Sequence, residues 1–157
     1  MSLKQTRAAI PFVIIDNTHH EFSASPTSND TIVGTTRFFD LSEQHKHLEI
    51  GFTWYNPAVW RTSVNTEIKF MLLKFAFETL QCIRVQLKTD ARNTRSQTAI
   101  ERLGAVREGM IRKMMILPNG HERNVVIYGI TNDEWYGTVK NNLLNKLNLP
   151  PVVVEKQ

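Results

Sequence analysis

Apolar residues recur at helical spacing in one stretch above all others: Val64, Ile68, Met71, Leu72, Phe75 and Ala76. This stripe predicts an amphipathic helix that opens from a loop at Trp60 and turns one face to a core. Small polar residues lead into it: Thr62, Ser63, Asn65 and Thr66. Such side chains cap helix starts by accepting from N–H groups that lack an intrahelical partner. The same start suits an anion, through its free N–H groups and positive dipole end. Every helix has such groups, so a capped core helix is the simpler reading of this stretch alone.

The rest of the pattern falls into place around that helix. Residues 10–15, IPFVII, read as a strand, and residues 16–30 as a long polar connection. His19 and His20 lie in it; adjacent histidines without further spaced ligands are loop residues. Residues 31–41, TIVGTTRFFDL, form the return strand, and Gly34 inside it signals a bulge or a close backbone approach. After a turn, residues 48–55, LEIGFTWY, give a third strand in which Glu49, Gly51 and Thr53 alternate with Ile50, Phe52 and Trp54. These three strands predict an antiparallel meander. Beyond the helix, residues 82–88, CIRVQLK, set Ile83, Val85 and Leu87 against Arg84, Gln86 and Lys88. A strand–helix–strand unit makes this strand parallel to the third.

A polar loop over residues 89–96 starts a second helix. Asn93 is its N-cap, Ala99, Ile100 and Leu103 its apolar face, and Gly104 its stop. Residues 105–117 and 121–131 are strands joined by Pro118-Asn119-Gly120, a hairpin signal. Thr131, Asn132, Asp133 and Glu134 spell a capping box for a last helix. Trp135, Val139, Leu143 and Leu147 line one side of it, Gly137 weakens it, and Pro150-Pro151 stop it. The element order β-β-β-α-β-α-β-β-α gives an α/β (α+β) fold, a mixed sheet with helices packed on it. The helix starts near Ser63 and Asn93 follow neighbouring strands and open at the same end of the sheet, where such sheets bind ligands.

Composition narrows the class. At 157 residues the chain is long enough for one domain, 1–157, with a sticky apolar tail over 150–157. A net charge of +4 tolerates an anionic ligand without requiring nucleic acid. Phe38, Phe39 and Trp54 are not set in a basic–aromatic motif of the RNA-binding sheet type. The single cysteine, Cys82, lies in an apolar run as a small buried hydrophobe and allows no internal disulfide, which fits a cytoplasmic protein. No apolar stretch spans a membrane, and no metal-ligand spacing is present.

Three runs then carry a resemblance: RTSVNTEIKFMLLKFAFETL, RVQLKTDARNTRSQTAIERLGAVREGMIR, and NGHERNVVIYGIT with the following EW. Over about residues 10–147 they resemble the GNAT acetyltransferase superfamily, in the branch of the RimJ and RimL type N-terminal acetyltransferases. Its most specific part is Asn93, Ser96, Ala99, Ile100, Leu103, Gly104, Ala105, Glu108 and Gly109. The resemblance implies acetyl-CoA as donor and an amine as acceptor, either a peptide N-terminus or a small molecule. It implies a pyrophosphate loop over Trp60, Arg61, Thr62, Ser63, Val64 and Asn65. Here Ser63 stands where the family pattern has its middle glycine, and Trp60 where it has Gln or Arg.

The family also has two splayed parallel strands with pantetheine between them. This makes Phe52, Thr53 and Trp54 candidates for main-chain bonds to that arm, beside their alternative as sheet packing. Asn93 would bond the arm's amide, beside its alternative as a cap. Ser96 would approach the sulfur and protonate the leaving thiolate, beside its alternative as a plain first-turn serine. Glu49 is the candidate base. Glu67 serves the helix's positive end, and Tyr128 reads as a buried structural tyrosine.

Family members begin with a strand and two helices that wall the acceptor site, whereas this chain begins almost at the first meander strand. An uncovered apolar sheet face then favours a homodimer or exchange of segments. Two functions follow from the sequence: an N-acetyltransferase, or a degenerate CoA-binding and dimerisation module without turnover.

Overall fold

A computed structural model describes residues 9–16 and 31–150. The first eight residues, the connection holding His19 and His20, and the tail from Pro151 lie outside the described residues. Among the described residues six strands form one sheet: β1 (Ile10–Asp16), β2 (Thr31–Ser42), β3 (His47–Tyr55), β4 (Arg84–Asp90), β5 (Val106–Ile116) and β6 (Glu122–Thr131). Their order across it is β1-β2-β3-β4-β6-β5. β1, β2 and β3 form the expected antiparallel meander, and β3 and β4 run parallel. β5 and β6 form a hairpin whose Gly120 takes a φ of 78°, as the Asn-Gly turn requires.

The long helix is α1 (Val64–Lys74), and a π-helical turn, Phe75–Thr79, continues it. Its core face differs from the predicted stripe. Phe70, Leu72, Leu73, Ala76 and Phe77 are buried, whereas Met71 and Phe75 are 58% and 45% exposed. Apolar residues fill almost every position from 68 to 77, so more than one helical stripe fits, and the strands beneath select one. They offer Phe38, Leu48, Ile50 and Val85. The second parallel strand is also shifted. β4 begins at Arg84, and Ile83 lies before it, 52% exposed. Val85, Leu87 and Thr89 point into the core. Cys82 is buried as expected, and burial pushes its thiol pKa up.

Helix α2 (Thr94–Glu101) buries Ile100 and stops at Gly104, whose φ is 96°. The capping box at Thr131 and Glu134 is formed and opens α3 (Asn132–Glu134). A π turn, Trp135–Val139, then leads to α4 (Lys140–Lys146). Trp135, Val139 and Leu143 are buried, with Leu147 packed at the margin. α1, α2, α4 and the two π turns contribute residues to one core, as does the loop after α2, whereas α3 buries none. Gly34 meets the close approach predicted for it, since a Cβ there would lie 2.5 Å from the Trp54 carbonyl oxygen.

Candidate active site

β3 and β4 pair over three residues only, His47, Leu48 and Glu49 against Arg84, Val85 and Gln86. Both strands continue past that point, β3 to Tyr55 and β4 to Asp90, without pairing with each other. Their separation opens a cleft of 1520 Å³. Residues 50–55 line one side, Leu87, Lys88 and Thr89 the other, and the starts of α1 and α2 stand at its end.

A bulge shapes the β3 side. Thr35 pairs with Trp54 and Arg37 with Gly51, so Phe52 and Thr53 together oppose Thr36. Phe52 takes a φ of 50°, a left-handed conformation costly for an aromatic residue. The bulge overturns the simple alternation expected for this strand. Phe52 joins the face of Arg37 and Phe39, with the Arg37 guanidinium 3.8 Å from its ring centroid. Thr53 turns to the opposite face and shares a 2.9 Å hydrogen bond with Thr36.

The two helix starts differ. At α2, the Asn93 side chain accepts from the Ser96 N–H at 3.0 Å. Hydrogen bonds from Arg92 fix the preceding Asp90 and hold its carboxyl below the usual range. At α1, Ser63 caps nothing, and the Thr62 hydroxyl accepts from the Val64 N–H at a long 3.3 Å. The first backbone bond closes from Glu67 N–H to the Ser63 carbonyl. The N–H groups of Asn65 and Thr66 have no acceptor among the described residues. Ser63 has an ordinary φ of −71°, and the left-handed turn falls on Arg61 at 64°. The missing glycine is therefore not a conformational obstacle, because the strain sits two residues earlier.

Trp60 ties this loop to both sides. Its indole N–H donates to the Tyr55 carbonyl at 3.1 Å, and the Arg95 guanidinium of α2 lies 3.9 Å from its ring centroid. Ser96 is half-buried and lines the cleft, as do Asn93, Phe52, Thr53 and Trp54. Glu49 lines it as well, 3% exposed. Lys88 Nζ lies 2.7 Å from its Oε2, and Gln86 Nε2 donates to the same oxygen at 3.0 Å. Tyr128 is buried in the core beside Leu87 and is not itself a lining residue, and its hydroxyl donates to Glu101 at 3.0 Å. Burial and then that bond raise its pKa. Among the described residues no group of His, Cys, Asp or Glu could hold a metal ion, and no helix is long and apolar enough to cross a membrane.

Among the cleft residues outside the expected set, a buried lysine stands out. Lys69 on α1 is 5% exposed, and its Nζ donates to Thr53 Oγ1 at 2.6 Å. The sequence holds a trace of it: Lys69 falls four residues after Asn65 and three after Thr66, on the polar face of the helix start.

Comparison with known proteins agrees with this geometry. The acetyltransferase (GNAT) domain family matches residues 2–106. "Putative ribosomal N-acetyltransferase YdaF" of Bacillus subtilis (strain 168) is 27% identical over 107 residues, 68% of this chain and 57% of that protein. "Uncharacterized N-acetyltransferase YoaA" of the same organism is 26% identical over 99 residues, 63% of this chain and 55% of that one. The chain thus spans little more than half the length of these relatives. A crystal structure of a "putative acetyltransferase" from T. thermophilus is 43% identical, with a TM-score of 0.69 over 74% of this chain and 61% of that one. At 16% identity, a point mutant of spermidine N-acetyltransferase SpeG from Vibrio cholerae shares the fold alone, with a TM-score of 0.69 over 85% of this chain and 71% of its own. Most of the sequence lies inside the family match, and the chain belongs to the GNAT acetyltransferase family, with relatives of the RimJ/RimL-like kind.

Proposed function

We propose that this chain binds acetyl-CoA and transfers its acetyl group to a primary amine, a protein N-terminus or a small amine. The observation that carries this reading is the divergence of β3 and β4 after Glu49, with the open start of α1 at its mouth. The residues present fit the donor. The free N–H groups of Asn65 and Thr66 and the dipole of α1 suit a pyrophosphate. The unpaired edge of β3 at Phe52, Thr53 and Trp54 offers main-chain groups to an extended arm. The side-chain oxygen of Asn93 is taken by its own helix, which leaves its NH2 to donate to a carbonyl of that arm.

Bound acetyl-CoA supplies an activated acyl carbon. The chain's residues orient it and move protons. The Ser96 hydroxyl, in the first turn of α2 and among the residues lining the cleft, gives a proton to the departing sulfur. Glu49 receives the acceptor's proton on Oε1, because Oε2 is held by Lys88 and Gln86. The exposed apolar side chains of edge strand β5, among them Met110, Ile111 and Ile116, fit a homodimer contact.

The test is acetyl transfer to a panel of peptides and polyamines, followed by release of free thiol. Thiol release that depends on acceptor supports the reading. Acetyl-CoA binding with no release for any acceptor overturns the enzymatic part.

A further inference from the structure

The amine of Lys69 lies in the cleft wall, with no carboxylate in ion-pair contact among the described residues. Its acceptors are two neutral hydroxyls, Thr53 Oγ1 at 2.6 Å and Thr36 Oγ1 at 3.5 Å. An ammonium has three donors. The third finds no acceptor among the described residues, and no ion pair includes Lys69. A buried unpaired charge is costly, and apolar residues would fill the same place at lower cost. The location adds to the cost. Lys69 stands on the helix face of Asn65 and Thr66, and helical side chains lean toward the N-terminus, where the dipole is positive. All three residues line the same cleft. Positive potential therefore accumulates there from the dipole, the free N–H groups and this amine together.

We propose that Lys69 is the buried counter-charge for the anionic part of the donor, pairing with a pyrophosphate oxygen from inside the cleft. This rests on the donor-binding reading above and goes beyond it by assigning a side chain to a charge otherwise met by backbone. In the free chain the amine rests on Thr53 and Thr36. When an anion enters, the third N–H meets it, and the charged form gains the partner it lacks. Burial lowers the Lys69 pKa to about 7, so the free chain carries it partly neutral near pH 7. Anion binding should then take up a proton. The groups facing Lys69 across the core, Thr36 on β2 and Thr53 on β3, do not titrate in this range. Tyr55, further along β3, stays neutral because burial raises its pKa.

The experiment is calorimetric titration of the wild type, Lys69→Met and Lys69→Arg with CoA, pantetheine and inorganic pyrophosphate. Between pH 7 and 9 the phosphates of CoA are largely ionised, so CoA carries the pH series. Wild-type CoA affinity should fall as pH rises through that window, and buffers of different ionisation enthalpy should report proton uptake. Lys69→Met should weaken CoA and pyrophosphate about ten- to hundredfold and leave pantetheine unchanged. Lys69→Arg should keep most of the affinity and remove the pH dependence. Unchanged CoA affinity in Lys69→Met, equal loss of CoA and pantetheine, or wild-type binding without proton uptake overturns the inference while leaving the donor site standing. Wild type that binds neither CoA nor pyrophosphate overturns both. The proton-uptake measurement uses the wild type alone, so it decides the matter even if a variant fails to fold.

Discussion

Two helices begin at the same end of one cleft, and their starts are built in opposite ways. At α2 the chain satisfies itself: Asn93 takes the Ser96 N–H, and Asp90 and Arg92 brace the approach. At α1 the chain leaves the work undone. Ser63 caps nothing, Asn65 and Thr66 keep free N–H groups, and a buried amine waits behind them. A closed start satisfies its own N–H groups, and an open one leaves them for the proposed pyrophosphate. The capped α2 start gives a rigid frame for Ser96. The uncapped α1 start gives the positive potential that an anion needs.

Variants can break this contrast at either end. The largest effect belongs to Ser63→Glu, which sets a carboxylate against the proposed phosphates and should abolish CoA binding, a loss beyond about a hundredfold by calorimetry. Undiminished affinity would move the phosphates elsewhere. Ser96→Ala should spare CoA affinity and slow transfer by about a hundredfold, if the hydroxyl is the proton donor. An equal rate in stopped-flow assays would remove it from the chemistry.

Stability should respond to Lys69 in a pH-dependent way. Its pKa is about 7 in the folded chain and 10.5 when exposed, so between these values the unfolded chain binds the extra proton. Stability therefore rises with pH across that window, and the penalty is carried in full below about pH 7. Lys69→Met should be about 1–4 kcal/mol more stable than wild type at pH 6, with the gap closing toward pH 10 in denaturant melts. A variant less stable at every pH would contradict the buried-charge account.

Asn93→Ala should cost about 1 kcal/mol, whereas Asn93→Asp keeps the cap. The matching change at the open start, Ser63→Ala, should cost almost nothing by thermal melts. A small but measurable effect is that of Arg95→Ala, which removes the contact over Trp60 that bridges the two starts. About 0.5–1 kcal/mol of stability should go with it.

The sequence shows the closed features better than the open ones. Asn93, the box at Thr131 and Glu134, and the Asn119-Gly120 turn each rest on contacts within a few residues, so the local residue types reveal them. The parallel pairing of β3 and β4 follows from the strand–helix–strand order. The bulge at Phe52 leaves no such mark, because Phe in an alternating strand gives no sign of a left-handed φ. Nor does the sequence place Met71 and Phe75 outside, since the run from 68 to 77 is apolar nearly all round. Lys69 is hidden for the same reason: a lysine in an amphipathic helix suggests a solvated face, and only the tertiary fold turns it toward Thr36 and Thr53.

The most direct test is to titrate the 15N-labelled chain with inorganic pyrophosphate and follow its backbone amide resonances. The pyrophosphate should shift the Asn65 and Thr66 amides strongly and leave the Ser96 amide, already held by Asn93, nearly in place. Equal shifts at both helix starts, or none at α1, would contradict the claim that the open start is the anion site.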